Sequence, residues 1–202
     1  MTRAVEVART EGARALLFGA LAETFYRRLH LYERELTSPG PTAAFDGELS
    51  FGWVDEDSFP EYDRLRPGGA SKARARLRAG HRCFGTWLDG GLVAVRWVAT
   101  GSPPVEYLEL SLTLEDGAVY HYDSFTSPSH RRRGLSAASQ AGLAAVLAAE
   151  GRTRIVRAVL PENRAAVRDA EKAGYRRCGR LGFIRIGRLR REVRSGLPPL
   201  RP

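Results

Sequence analysis

Between residues 11 and 36 the apolar positions Leu17, Leu21, Phe25, Leu29, Tyr32 and Leu36 recur at spacings of three and four. That period places them on one stripe and predicts an amphipathic helix over 11–36. Thr37-Ser38-Pro39-Gly40-Pro41 ends it, because neither proline nor glycine continues a helix well. Residues 42–70 show no period and are rich in turn formers, apart from a short strand at Leu49–Val54. A short basic helix fits 71–79. The period then changes to two. Strands at 83–88 and 92–100 flank Asp89-Gly90-Gly91, a hairpin turn. Residues 105–114 alternate, with Leu108, Leu110, Leu112 and Leu114 on one face, and read as a further strand. After Glu115-Asp116-Gly117 come a strand at Ala118–Thr126, a helix at 135–150, a strand at 155–160, a helix at 163–173 and paired strands within 175–193.

This order predicts an α+β fold, a mixed and mostly antiparallel sheet flanked by helices. It contains no internal repeat and no domain boundary. The expected organisation is one domain over 1–194, with 1–80 as a helical N-terminal part, and a disordered tail at 195–202.

Composition narrows the class. The chain has 202 residues, 43% of them apolar and 27% charged, as expected of a globular protein with a sizeable core. No apolar run is long enough to span a bilayer, and MTRAVEVARTEG carries no signal-peptide apolar region. Cys83 and Cys178 are far apart and form no metal-ligand pattern. The expectation is a cytoplasmic protein with reduced thiols and no metal. The net charge of +9 favours anionic ligands, including phosphorylated cofactors and acidic carrier proteins. Since Lys72 and Lys172 are the only lysines, the excess reads as compositional bias toward arginine more than as a nucleic-acid surface.

The segment from Tyr122 to Ser136 carries the strongest chemical signal. A strand ends near Pro128, a basic loop follows, and a helix rich in alanine begins. A helix start exposes unpaired N–H groups and a partial positive charge, which suit a pyrophosphate. Gly134 permits close backbone approach, and Ser136 could donate its hydroxyl. Arg131, Arg132 and Arg133 sit where the helix dipole disfavours cations, by about 0.3–1 kcal/mol each. A bound polyanion would remove that conflict, although a solvated basic loop accounts for the residues as well.

These residues resemble the GNAT superfamily of N-acetyltransferases. The family's Arg/Gln-x-x-Gly-x-Gly/Ala motif appears as Arg131-x-x-Gly134-x-Ser136, and Asn163, Ala166, Glu171, Lys172, Gly174 and Tyr175 fit its second motif. The similarity covers roughly 82–193, which makes 81–194 the CoA-binding core and 1–80 the part that shapes the acceptor site. It implies a sheet splayed into a V between two parallel strands, 118–126 and 155–160. The pantetheine arm of acetyl-CoA, or of another acyl-CoA, would pair with Phe125 and Thr126. The pyrophosphate would sit on Arg131, Arg132, Arg133, Gly134, Leu135 and Ser136. A bulge near Ser124–Phe125 would aim an N–H at the thioester carbonyl, and Asn163 would contact the cofactor arm. From sequence alone, Asn163 reads equally as a helix N-cap. The chain departs from the family at Ala170, where many members carry a thiolate-protonating tyrosine.

Acyl transfer needs a base to deprotonate an ammonium group. Asp123 is the first choice and His121 the second, with Tyr122 beside them on the same strand. Tyr120 and Tyr122 read as core tyrosines at least as well. Trp53, Trp87 and Trp97 read as core or as acceptor-pocket walls, and His81 and His130 as lone loop histidines. The expected activity is N-acylation of a primary amine on a small molecule. A protein N-terminus or lysine as acceptor, a non-catalytic CoA-binding domain, and a basic nucleic-acid binder remain the alternatives. A homodimer and an acyl carrier protein as donor stay open as partners.

Overall fold

The computed structural model describes residues 26–36, 48–186 and 188–196. Leu17, Leu21, Phe25, the turn at 37–41 and the tail at 197–202 lie outside them. Eight strands form one sheet in the order β10-β9-β1-β8-β7-β4-β3-β2. The strands are β1 (Tyr26–Glu35), β2 (Leu49–Val54), β3 (Arg82–Leu88), β4 (Gly91–Ala99), β7 (Ala118–Thr126), β8 (Arg154–Val159), β9 (Arg176–Ile186) and β10 (Leu189–Ser195). Pro104–Val105 and Leu110–Ser111, β5 and β6, pair separately. Four α-helices lie among the described residues: α1 (Phe59–Leu65), α2 (Ala70–Arg78), α3 (Leu135–Ala149) and α4 (Arg164–Lys172). The class is α+β, as the order of periods predicts.

The expected helix over 11–36 is wrong where it can be compared, since 26–35 is the strand β1. It fills the slot between β8 and β9 and is antiparallel to both. Leu29 and Leu31 point to one core cluster, whereas Tyr32 and Leu36 belong to the other. The stripe at spacings of three and four was therefore two faces of a strand, with a register shift at Leu31/Tyr32. A period read from so few positions does not separate the two cases, and the open place in the sheet decides. The helical reading of 1–80 thus fails at β1, whereas Leu49–Val54 forms the strand β2, as expected.

The expected strand at 105–114 is also corrected. Pro104–Val105 and Leu110–Ser111 form a small hairpin around a 3-10 turn, and Glu109 takes the left-handed conformation at φ 52°. Leu108 and Leu112 still point inward and cap the cluster formed by Leu29, Leu31, Tyr120, Val156, Leu181 and Phe183. The apolar alternation is thus spent on covering the sheet instead of extending it. Within the irregular stretch, Phe59–Leu65 forms a short helix with proline in its first turn. Phe59 and Tyr62 lie on Val95 and Trp97.

Helices α3 and α4 cover the opposite face through Leu143, Leu147, Ala170 and Ala173, packed on Phe84, Val98, Val119 and Ile155. Each fully buried leucine there contributes about 1.5–3 kcal/mol. One feature of the sheet positions the site. Parallel strands β7 and β8 pair only at Ala118↔Arg154, Val119↔Ile155 and Tyr120↔Val156, and then part. Tyr122 to Thr126 lie beyond the last pair, on one arm of a V.

Candidate active site

At the apex of the V, β7 bulges. Val95 pairs with Phe125 and Trp97 with Tyr122, so Arg96 alone faces both Asp123 and Ser124. The bulge lies one residue earlier than the sequence places it. Asp123 has φ 41°, a conformation that aspartate tolerates better than most residues. Because of the extra residue, Tyr122 and Asp123 both turn toward α1 and α2, while Ser124 turns toward α3.

The α3 end of the site is built mostly from backbone. Gly134 is the N-cap of α3 at φ 82°, and no side chain caps the helix. Its first turn holds no acidic residue, so its N–H groups remain available for an anion. Arg132 also adopts positive φ, at 62°. Arg131, Arg132 and Arg133 are exposed, and Arg131 Nε donates to the Thr126 carbonyl at 3.1 Å. Leu135 is a core residue packed on Val93 and Ala94, so only its backbone borders the turn. The Ser136 hydroxyl turns inward and donates to Asp169 Oδ1 at 2.9 Å. Its proton is therefore committed within the protein. Asn163 acts as the N-cap of α4, accepting from the Ala166 N–H at 3.1 Å, which is the structural one of its two expected roles. Ala170 is fully buried in the core cluster, and a tyrosine there would overpack it.

Behind the bulge lies a residue that sequence reasoning missed. Arg96 is 1% exposed. It donates to Ser139 Oγ (2.9 Å), Ser124 Oγ (3.2 Å), and the Ser136 carbonyl and hydroxyl (2.8 and 3.0 Å). It thereby ties the bulge to the first turn of α3. Burial lowers its pKa to about 10, with the nearby Asp169 carboxylate opposing, so it stays a cation at neutral pH. An arginine inside the apolar run Leu92–Ala99 was the available signal, since such residues are rarely buried unless partnered.

Of the three catalytic candidates, two are engaged elsewhere. Asp123 faces Arg66, whose Nη1 lies 3.1 Å from Oδ1, and takes a short hydrogen bond from Arg76 on Oδ2. Burial pushes its pKa up, but the hydrogen bonds and charges of Arg76 and Arg66 outweigh that and hold it below the usual value. A carboxylate so occupied is a weak base. His121 is 1% exposed, on the α3 face, with Nε2 2.8 Å from Ser124 Oγ and Nδ1 without a partner. Burial, reinforced by Arg157 and Arg96, lowers its pKa well below the ordinary value. It has no route to a ligand on the other face of the sheet.

Tyr122 differs. It forms part of the wall of a cavity of about 680 Å³, with Lys72, Arg76, His81 and Glu106 around it. Its hydroxyl makes a short hydrogen bond with His81 Nδ1, and its ring meets that of His81 edge-on at 5.6 Å. Burial pushes its pKa up, so it remains a phenol. The sequence had marked His81 only as a loop histidine, because the contact joins residues on separate elements. Trp97 is core, donating to the Tyr62 hydroxyl at 3.2 Å. Trp53 and Trp87 donate to Glu150 and Glu61, each at 3.0 Å. No group of His, Cys, Asp and Glu among the described residues could hold a metal, and no helix there is long and apolar enough to cross a membrane.

The splayed parallel pair, the bulged central strand and the glycine turn into α3 together define the GNAT fold, as the sequence motifs imply. No protein-family model matches the sequence, and no curated protein does. Solved structures are similar. A GNAT-family protein from Novosphingobium aromaticivorans aligns at TM-score 0.52 and 22% identity, over 77% of this chain and 63% of that one. A GCN5-related N-acetyltransferase from Kribbella flavida aligns at 0.51 and 19%, over 83% and 60%. A GNAT-family acetyltransferase from Colwellia psychrerythraea aligns at 0.55 and 15%, over 84% and 61%. The chain thus spans less than two thirds of each neighbour's length, and at these identities the likeness is one of fold.

Proposed function

We propose that this chain is an N-acyltransferase that moves an acetyl or other short acyl group from acyl-CoA to the primary amine of a small molecule. The observation that carries this reading is the parting of β7 and β8 after Tyr120↔Val156 beside the uncapped, glycine-started helix α3. The V offers β7 backbone at Phe125 and Thr126 to an added strand, such as a pantetheine arm. The α3 turn offers backbone donors, and Arg131, Arg132 and Arg133 offer charge, to a pyrophosphate. The donor set fits: it is cationic, free of carboxylates in the first turn, and opened by Gly134. Acyl-CoA would supply an activated thioester. The protein would orient it, present a backbone N–H at the bulge to the developing oxyanion, and deprotonate the amine. A cavity of about 680 Å³ on the α1/α2 side of the bulge suits a small acceptor better than a polypeptide.

A second reading, a CoA-binding domain without catalysis, draws on two facts. Asp123 is locked between arginines, and Ala170 is core. Thermal unfolding with acetyl-CoA tests the donor site. A ligand at 100 times its Kd stabilises by about 2.7 kcal/mol, and no shift at millimolar ligand overturns both readings. Thiol release across an amine panel then separates them: release supports the enzyme, and binding without release supports the binding domain.

A further inference from the structure

We propose that His81 is the general base that deprotonates the acceptor amine, with Tyr122 holding its ring in the tautomer that leaves Nε2 unprotonated. This rests on the acyltransfer reading above. Tyr122 lies two residues beyond the last β7–β8 pair, immediately before the bulge, and so at the apex of the V. The same residue, with His81, walls the cavity on the α1/α2 side. The hydrogen-bonded pair therefore joins the place where a thioester would lie to the place where an acceptor would enter. His81 Nδ1 is taken by the Tyr122 hydroxyl, and Nε2 has no hydrogen bond among the described residues. Neither of the other two candidates presents such a lone pair to the cavity. Asp123 is held by Arg66 and Arg76, and His121 is buried on the opposite face.

The charged surroundings of His81 suit a base that is neutral at pH 7. Arg76 approaches it from α2, Glu106 from the 3-10 turn, Tyr122 from β7, and Lys72 stands in the same cavity wall. Burial, then Arg76, lower the His81 pKa, and Glu106 opposes them. Arg76 lies over the Tyr122 ring, 5.0 Å from its centroid. A protonated phenol can donate to a bare Nδ1 or accept from Nδ1–H; His81 acts as a base in the second arrangement, with Nδ1–H donating to the phenol oxygen and Nε2 accepting. His81 Nε2 takes one proton from the ammonium group and releases it to solvent through the cavity. The freed lone pair forms the C–N bond at the thioester carbon through a tetrahedral intermediate; the C–S bond then breaks, and the second nitrogen proton ends on the departing sulfur, giving amide and thiol.

His81→Gln should lower kcat by about 100-fold or more at pH 7, abolish the acidic limb of the kcat/KM profile, and leave acetyl-CoA stabilisation unchanged. Tyr122→Phe should cost less, on the order of tenfold, because the ring loses the partner that selects its tautomer. In the wild-type protein, 15N NMR of the His81 ring should show a protonated Nδ1 and a bare Nε2, and Tyr122→Phe should erase that preference. If the wild type acylates an amine and His81→Gln stays within about threefold of it, the base assignment fails alone. A wild-type ring protonated at Nε2 overturns it as well. If the wild type binds acetyl-CoA but acylates nothing, the acyltransfer reading fails and the base assignment with it.

Discussion

The two sides of the central strand are made differently. On the α3 side, the candidate phosphate cradle is a stretch of consecutive residues, Arg131 to Ser136, whose useful groups are backbone N–H donors and exposed charges. On the α1/α2 side, the cavity wall is assembled from side chains far apart in sequence: Lys72, Arg76, His81, Glu106 and Tyr122. The first kind of site needs only a strand, a glycine and a helix start. The second exists only once the chain has folded. It follows that the cradle should tolerate loss of its own exposed side chains, whereas the cavity wall and the buried Arg96 behind the bulge should not.

The sharpest test of that contrast is Arg96→Met. It removes a buried cation that donates to Ser124, Ser136 and Ser139 and leaves those acceptors unpaired, and should destabilise the protein by about 1–3 kcal/mol in urea unfolding. A loss under about 1 kcal/mol would mean that the bulge and the α3 turn do not depend on it.

Asp123→Asn comes next. It leaves Arg66 and Arg76 without their carboxylate and should cost about 1–3 kcal/mol at pH 7. Asp123 has a lowered folded pKa, so its contribution is present above the unfolded value near 3.9 and is lost as pH falls through the folded one. The wild type should therefore lose stability below about pH 4, and the variant should lose less over that window. Matching acid branches of the two stability curves would remove the ion pairs from the account. An acylation rate that falls much further than stability does would return Asp123 to the catalytic set.

Gly134→Ala forces a Cβ into φ 82°, at a cost of about 1–2 kcal/mol, and should also weaken acetyl-CoA stabilisation. The smallest effect is expected at the arginines. Replacing Arg131, Arg132 and Arg133 singly with Gln should raise the acetyl-CoA Kd by about twofold to fivefold at low salt, and the difference should vanish near 1 M salt, where the Debye length is ~3 Å. A single substitution that abolishes binding at all salts would show that the cradle relies on a side chain and not on backbone.

The same division explains what could be read from the sequence. The hairpin β3–β4, strand β7, helix α3 and the β8–α4–β9 run were legible because glycine turns and clear periods bound them. The turn from Arg131 to Ser136 into α3 was legible because its residues are contiguous. Strand β1 was not: Leu29, Tyr32 and Leu36 fit a helical stripe, and only the gap between β8 and β9 assigns Leu29 and Leu31 to one face and Tyr32 to the other. The role of Asp123 was not legible either, since Arg66 and Arg76, which occupy its oxygens, lie on a segment with no visible link to β7. Ser136 was placed correctly on the turn, but the direction of its hydroxyl depends on Asp169 in α4.

The sequence by itself thus determined the α+β class, the succession of elements over the second half of the chain and the glycine turn into α3, because local periodicity, glycine conformation and unpaired helix N–H groups are properties of neighbouring residues. Tertiary structure decided which strand fills the sheet, which way the bulge turns Asp123 and Ser124, and which histidine meets Tyr122. Burial and ion pairing depend on groups brought together from distant positions, and no spacing along the chain encodes that meeting.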